Sequence, residues 1–394
     1  MMIKQIRKML VLLNICLVVI SIPGCWNNKD LTEINIAAAV GIDKSDDHKI
    51  ELTVQLVKPD AMKLGEGGGG GKEKAVEVFS ITGDTVSECF SNLLIIVNHE
   101  IFISHLQLIV LGEQMARDGL SDVLDFFARN HEANRQAGII IAKGTSAKEI
   151  LTAESTLEKI PALHILSILK NNASFAKTKK LMMIDVLKEI SSPGKNLTIG
   201  VIEGAKEKEK PSLKDMKIEG SAVFKNDKLI GWLNAQETRG LLFAEDQVKS
   251  GIINIPNPLN EDKNVAIEMI RSSGKKDVKI KDGKLVFLVE IKEEGNIGDQ
   301  QGNGDLTTPE LIQKLEEEAA KVIEKNIRDI VDLAQKEYHC DIFGFGEIVY
   351  RKHLNYWQQV QENWDEEFSS TPVVIKVTSK IRRAGLIKKP ILSR

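Results

Sequence analysis

Apolar residues recur along this chain with two periods, and the order in which those periods alternate predicts most of its architecture. Residues 34–42 form a run of small and β-branched side chains that reads as a buried strand. Residues 50–57 alternate as a second strand after a turn at 43–47, and 76–81 alternate again. Asp84 is then placed to cap a helix whose Val86, Phe90, Leu93, Leu94 and Val97 share one face. A strand at 105–111 follows, then a helix turning Met115, Leu120, Val123, Leu124 and Phe127 inward, and a wholly apolar strand at 138–142. Such alternation predicts helices layered on a sheet. Residues 146–193 read as helical up to Pro193-Gly194, and a strand at 197–202 precedes Lys206-Glu207-Lys208-Glu209-Lys210-Pro211, a polar stretch that marks a domain boundary.

Past that boundary, 218–224 and 228–233 flank Asn226-Asp227 and predict a hairpin. A short helix at 235–243 and a strand at 251–255 come next. Residues 265–270 and 285–291 alternate as strands joined through the polar stretch 272–283. Thr308 caps and Pro309 opens a helix running to about 337, with Leu311, Leu315, Ala319, Val322, Ile323, Ile327, Ile330, Val331 and Ala334 in one stripe that should cover a sheet. A strand at 373–378 would join that sheet. The predicted class is α+β, or mixed α/β, with a domain at 25–204, a middle unit at 212–258 and a C-terminal domain at 259–394 that holds the long helix 309–337.

The first residues follow other rules. Lys4, Arg7 and Lys8 precede an apolar run from 9 to 22, shorter than the roughly 20 residues a spanning helix needs, and Pro23-Gly24-Cys25 ends it. A secretory leader followed directly by cysteine is the pattern of a bacterial lipobox. Residues 1–24 would be removed, and Cys25 would carry diacylglycerol and an N-acyl chain that hold the mature chain at a membrane surface. An uncleaved anchor is the plainer alternative. No later apolar run approaches spanning length.

Removing the leader takes three positive charges from a chain already at −3, an acidic balance that argues against nucleic acid as a partner. Two cysteines then remain, Cys89 and Cys340. Buried free thiols are the favoured reading, a disulfide the alternative. The run Gly67 to Gly71 lacks the Gly-Lys-Ser/Thr that a phosphate cradle requires, and reads as a surface loop. The histidines form no His-Glu-x-x-His, and there is neither Cys-x-x-Cys nor Gly-x-Ser-x-Gly. His339-Cys340-Asp341 is the nearest approach to a metal cluster, but adjacent residues rarely converge on one ion. Glu316-Glu317-Glu318 reads as the solvated face of the long helix. Trp357 and Trp364 read as core more readily than as a pocket with Trp232, Tyr350 and Tyr356. No cofactor, metal or catalytic group is expected.

These same residues carry a resemblance. Gly24-Cys25-Trp26, Ala39-Val40-Gly41-Ile42-Asp43, Leu111-Gly112-Glu113, Ala142-Lys143-Gly144, Gly220-Ser221-Ala222-Val223-Phe224-Lys225 and Leu229-Ile230-Gly231-Trp232-Leu233 occur in this order. Glu237-Thr238-Arg239-Gly240, Asp341-Ile342-Phe343-Gly344-Phe345-Gly346 and Arg382-Arg383-Ala384-Gly385-Leu386 follow. Together, over nearly the whole chain, they resemble the Ger(x)C family of spore germination lipoproteins, the C subunits of nutrient germinant receptors. The resemblance implies three mixed sheet-and-helix domains on a lipid-anchored N-terminus and a non-enzymatic subunit on the outer face of the spore inner membrane. It also implies two integral-membrane partners, the receptor's A and B subunits. Trp232, Glu237, Thr238, Arg239, Gly240, Phe343, Gly344, Phe345 and Gly346 would form structural turns or a contact surface. A solute-binding lipoprotein of an importer is the competing reading. It requires two similar lobes around a deep cleft, whereas the halves of this sequence are unequal and show no repeat. A lipid-anchored hydrolase would need a nucleophile, base and orienter that the residues do not supply.

Overall fold

Two sheets, one parallel at its centre and one largely antiparallel, organise the chain. The computed structural model describes residues 2–20, 34–58, 74–155, 157–204 and 212–383. Cys25, the glycine run and the polar boundary at 206–211 lie outside the described residues. Met2–Ile20 is a helix, and among the described residues no helix is long and apolar enough to cross a membrane.

The first sheet contains β1 (Ile34–Lys44), β2 (Ile50–Val57), β3 (Val76–Gly83), β4 (Glu100–Phe102), β5 (Leu108–Leu111), β6 (Gly138–Lys143), β7 (Leu181–Met182), β8 (Thr198–Glu203), β9 (Lys217–Lys225) and β10 (Lys228–Leu233). Its order is β10-β9-β8-β6-β5-β1-β2-β3, with β4 also on β1 and β7 on β6. The central strands β1, β5, β6 and β8 are parallel, and antiparallel strands extend both edges. Helices cover both faces, so the central strands are apolar throughout, yet their period of two still sorts them. Ile109, Leu111, Ile139 and Ile141 enter one core, and Leu108, Val110, Ile140 and Ala142 enter the other.

The second sheet runs β11 (Gly251–Asn257), β12 (Asn260–Lys281), β13 (Lys284–Gln300), β14 (Val373–Arg383), with β14 parallel to β13. The segment 212–258, read from sequence as a middle unit, is divided between the sheets: β9 and β10 close an edge of the first, and β11 opens the second. The polar stretch 272–283 is strand rather than connector. β12 and β13 pair along most of their length to a tight turn at Asp282 (φ 52°) and Gly283 (φ 76°). Lysines facing water along this ribbon mask its period in the sequence.

Pro309–Leu333 packs its stripe onto this sheet and against the helix Ala235–Ala244. A single π turn, Ala334–Tyr338, ends it in place of the further α-helix expected to 337. Two further expectations shift. Thr85, not Asp84, caps the helix Val86–Leu93, its hydroxyl accepting the Glu88 amide. Glu316 faces β14, bonding Lys380 and the Ile381 amide, and is not simply solvated.

Candidate functional site: the junction between the two sheets

The helix Ala235–Ala244 is the wedge between the halves. Asn234 caps it, and Glu237 completes the capping box by accepting the Asn234 amide. Thr238 is buried beside Ser221 of β9, their hydroxyl oxygens 3.3 Å apart. A Cβ at Gly240 would lie 2.2 Å from the carbonyl oxygen of Asn326, so only glycine lets this helix approach the long one so closely. Gly240→Val should therefore cost about 3 kcal/mol or more, the upper end of overpacking effects, and lower the thermal unfolding midpoint markedly. Arg239 is only partly exposed. Its guanidinium carbon lies 5.7 Å from the centre of the Phe243 ring, and Nε and Nη2 are buried. A charge reversal there would place a carboxylate inside the protein, and the variant would test folding before assembly.

Across the junction the chain brings six charged side chains together. Lys179, Glu189 and Lys195 come from the first half; Glu245, Lys276 and Asp341 come from the second. The Lys179 ammonium, wholly buried, donates to Glu189 (3.2 Å) and Glu245 (3.1 Å), and Lys195 bridges the same two carboxylates at 2.8 and 3.3 Å. Burial alone would raise the Glu245 pKa, but the ammonium groups of Lys179, Lys195 and Lys276 outweigh it and hold the acid at about 2. Burial likewise opposes the charge on Lys195, yet Glu245 and Glu189 raise its pKa overall. Lys276 also donates to the Phe343 carbonyl. Three ammonium groups thus face three carboxylates, and the seam balances its own charge.

Asp341 sets the loop beside this seam. One of its oxygens accepts the Phe343 and Gly344 amides (3.0 and 2.8 Å). The other accepts the Gly346 amide (2.8 Å) and the Trp364 indole N–H (3.3 Å). Gly344 (φ 76°) turns the chain into the helix Phe345–Lys352. Phe343 and Phe345 are buried, and Phe345 stacks on Phe287 at 4.3 Å. A Cβ at Gly346 would meet the backbone of Gly194 at 2.7 Å, and Trp364 also donates to the Gly194 carbonyl, so this loop is docked backbone to backbone on the first half. Trp232 is half-buried at the edge of the first sheet. The Tyr338 hydroxyl accepts its amide (3.2 Å) and donates to its carbonyl (2.9 Å), while the Lys143 ammonium lies 5.5 Å over its ring.

A cleft of about 670 Å³ opens beside the junction, lined in part by Asn196, Lys225, His339, Trp357 and Asp365. Lys225 and Asp365 pair across it at 2.7 Å. His339, Cys340 and Asp341 do not converge. His339 lies by Ser369, burial pushes the Cys340 thiol up to about 12, and Asp341 is occupied by backbone amides. Among the described residues no group of His, Cys, Asp and Glu is placed to hold a metal ion. Cys89 and Cys340 are both buried free thiols in separate cores, and Trp357 and Trp364 are core. A second groove, about 910 Å³, runs between Lys44 and Glu132, but its Asp118 and Asp125 are paired with Lys44 and Arg129. Sequence reasoning missed Lys179, Glu245 and Lys276 entirely, because nothing in their neighbourhoods distinguishes them from solvated charges.

These features define a two-sheet α+β protein whose halves are joined by a neutral ionic seam and a glycine-mediated dock. Comparison with known proteins places that class. The family described as "Spore germination protein N-terminal domain" matches residues 27–204, and "Spore germination B3/ GerAC like, C-terminal" matches residues 219–385. The chain is 29% identical over 405 residues to spore germination protein KC of Bacillus subtilis (strain 168), covering 98% of both chains. It is 26% identical over 375 residues to spore germination protein B3 of the same organism, covering 94% of this chain and 96% of that one. The crystal structure of the GerBC protein shares the fold, with a TM-score of 0.56 at 23% identity, covering 87% of this chain and 96% of that one. The chain belongs to the Ger(x)C family of spore germination proteins.

Proposed function

We propose that this chain is the lipid-anchored C subunit of a nutrient germinant receptor, held on the outer face of the spore inner membrane through Cys25. There it acts without catalysis, in assembly or signalling, beside two integral-membrane subunits. The observation that carries this reading is similarity over nearly the full length of both chains to named spore germination proteins, through both halves in one order. The junction supports a scaffold role, since its charged groups pair with one another and tie the two halves together. The motifs around Glu237 and Phe343 serve, on this reading, as internal structure that holds the two halves together. A solute-binding lipoprotein is less well supported, because among the described residues one half is built on ten strands and the other on four, not on two similar lobes.

Fractionation of sporulating cells making the native chain or Cys25→Ala tests the proposal, with mass spectrometry of the mature N-terminus and a nutrient germination assay. Native protein should sit in the membrane fraction with a diacylglyceryl Cys25. The variant should leave that fraction, and its spores should lose nutrient response. Spores that respond normally without the anchored protein would overturn the proposal.

A further inference from the structure

Leu93 to Val97 are five consecutive apolar residues of which only two face inward. Leu93 and Val97 are buried, whereas Leu94, Ile95 and Ile96 are 49%, 86% and 52% exposed. Helical spacing alone places Leu94 on the same face as the buried Leu93 and Val97, yet the helix ends at Leu93 and Leu94 turns outward. The turn that presents them is well built, because the amides of Leu94, Ile95 and Ile96 donate to the carbonyls of Ser91, Asn92 and Leu93 in succession. Any polar residue would be tolerated at three such exposed positions, so three adjacent branched aliphatics at a loop tip call for an apolar partner.

Their location says which partner. Immediately after the tip, β4 pairs in parallel with the start of β1, Ile34 opposite Glu100, and the Asn35 amide side chain donates to the His99 carbonyl at 3.0 Å. The tip therefore sits at the end of the sheet where the chain arrives from Cys25. Eight residues lie between Cys25 and Ile34, nine Cα-to-Cα steps that cannot span more than about 32 Å whatever their conformation. Ile96 lies only two residues before Asn98, which flanks the same stitch.

We propose that Leu94, Ile95 and Ile96 insert into the bilayer surface as a second, non-covalent contact that fixes the orientation of the first domain against the membrane. This rests on the lipid-anchored reading of Cys25. A single acyl-modified cysteine on a flexible connection leaves a protein free to tumble at the surface, and an apolar tip at the same end of the sheet as the start of β1 removes that freedom.

The full-length lipidated protein carrying Ile95→Cys, labelled with an environment-sensitive fluorophore, tests this on phosphatidylethanolamine/phosphatidylglycerol vesicles. Cys89 and Cys340 are buried, so labelling is selective under native conditions. Ile252→Cys, at an exposed position on the second sheet, is the control. The label at 95 should brighten several-fold with a blue shift and be quenched by nitroxide placed in the acyl region, while the label at 252 stays as in water. A chain that floats with vesicles but leaves both labels equally wet overturns the tip proposal and leaves the anchor standing. Shielding at 95 only after integral-membrane subunits are added assigns the tip to a protein contact and overturns it equally. A chain that neither floats nor carries lipid overturns the anchored reading, and this one with it.

Discussion

Replacing Glu245 with glutamine is expected to lower the unfolding free energy by about 3–5 kcal/mol, the usual cost of leaving a buried charge without its partner. Glu245 is almost wholly buried and is shared by Lys179 and Lys195, so a neutral amide leaves those two ammonium groups with Glu189 alone. The pH dependence follows from the direction of its shift. Its folded pKa is about 2, against an ordinary 4.5. Its stabilisation is therefore fully present above about pH 4.5 and is lost as pH falls toward 2, a change on the order of 3 kcal/mol. Urea unfolding of the wild type should show this acid limb, and Glu245→Gln should lack it. Lys179→Met combined with Glu245→Leu should recover most of the loss, because a well-packed apolar pair replaces a desolvated ionic one while Lys195 keeps Glu189. A single variant as stable as wild type would mean that the seam admits water and contributes little.

The seam also shows where sequence reasoning stops. β1, β2, β5, β6, β8, the hairpin β9–β10, the long helix and β14 were all legible, because a buried strand or an amphipathic helix writes its period into the chain. The length of β12 and β13 was not. Lys275, Lys279 and Lys281 belong to a ribbon whose order comes from cross-strand pairing, which no local pattern encodes. Likewise Lys276 stands among other lysines and gives no sign that it turns inward to the Phe343 carbonyl. Asp341 is legible in the sequence only as part of the Asp341-to-Gly346 motif; a metal role beside His339 and Cys340 is already disfavoured there, but nothing local shows that the carboxylate serves four N–H groups. Glu237 and Gly240 were legible only as a motif; the capping box and the approach to Asn326 gave them physical roles.

Asp341 carries the second large effect, and two influences on it pull in opposite directions. Burial comes first and raises its pKa, which the amides of Gly346, Gly344 and Phe343 and the charge of Lys276 oppose; the balance stands at about 6 against an ordinary 3.8. A folded pKa above the unfolded one means that the protonated form is favoured by folding. This contribution is present below about pH 3.8 and is lost as pH rises through 6, on the order of 3 kcal/mol and opposite in sign to the limb from Glu245. Asp341→Asn removes the titration. Its stability gap to wild type should therefore narrow between about pH 4 and about pH 6 and stay constant above. Asp341→Ala removes the acceptor of four donors and should cost about 3–5 kcal/mol at every pH, since buried amides and an indole N–H are left unpaired. Trp364 reports on both variants, because its N–H is shared between Asp341 and Gly194, and its emission should shift to the red as the loop undocks. A gap that widens with rising pH would show the four donors prevailing over burial and holding the carboxylate charged. The loop would then be an anion cradle at every working pH, and the contact between the two halves would be insensitive to acid.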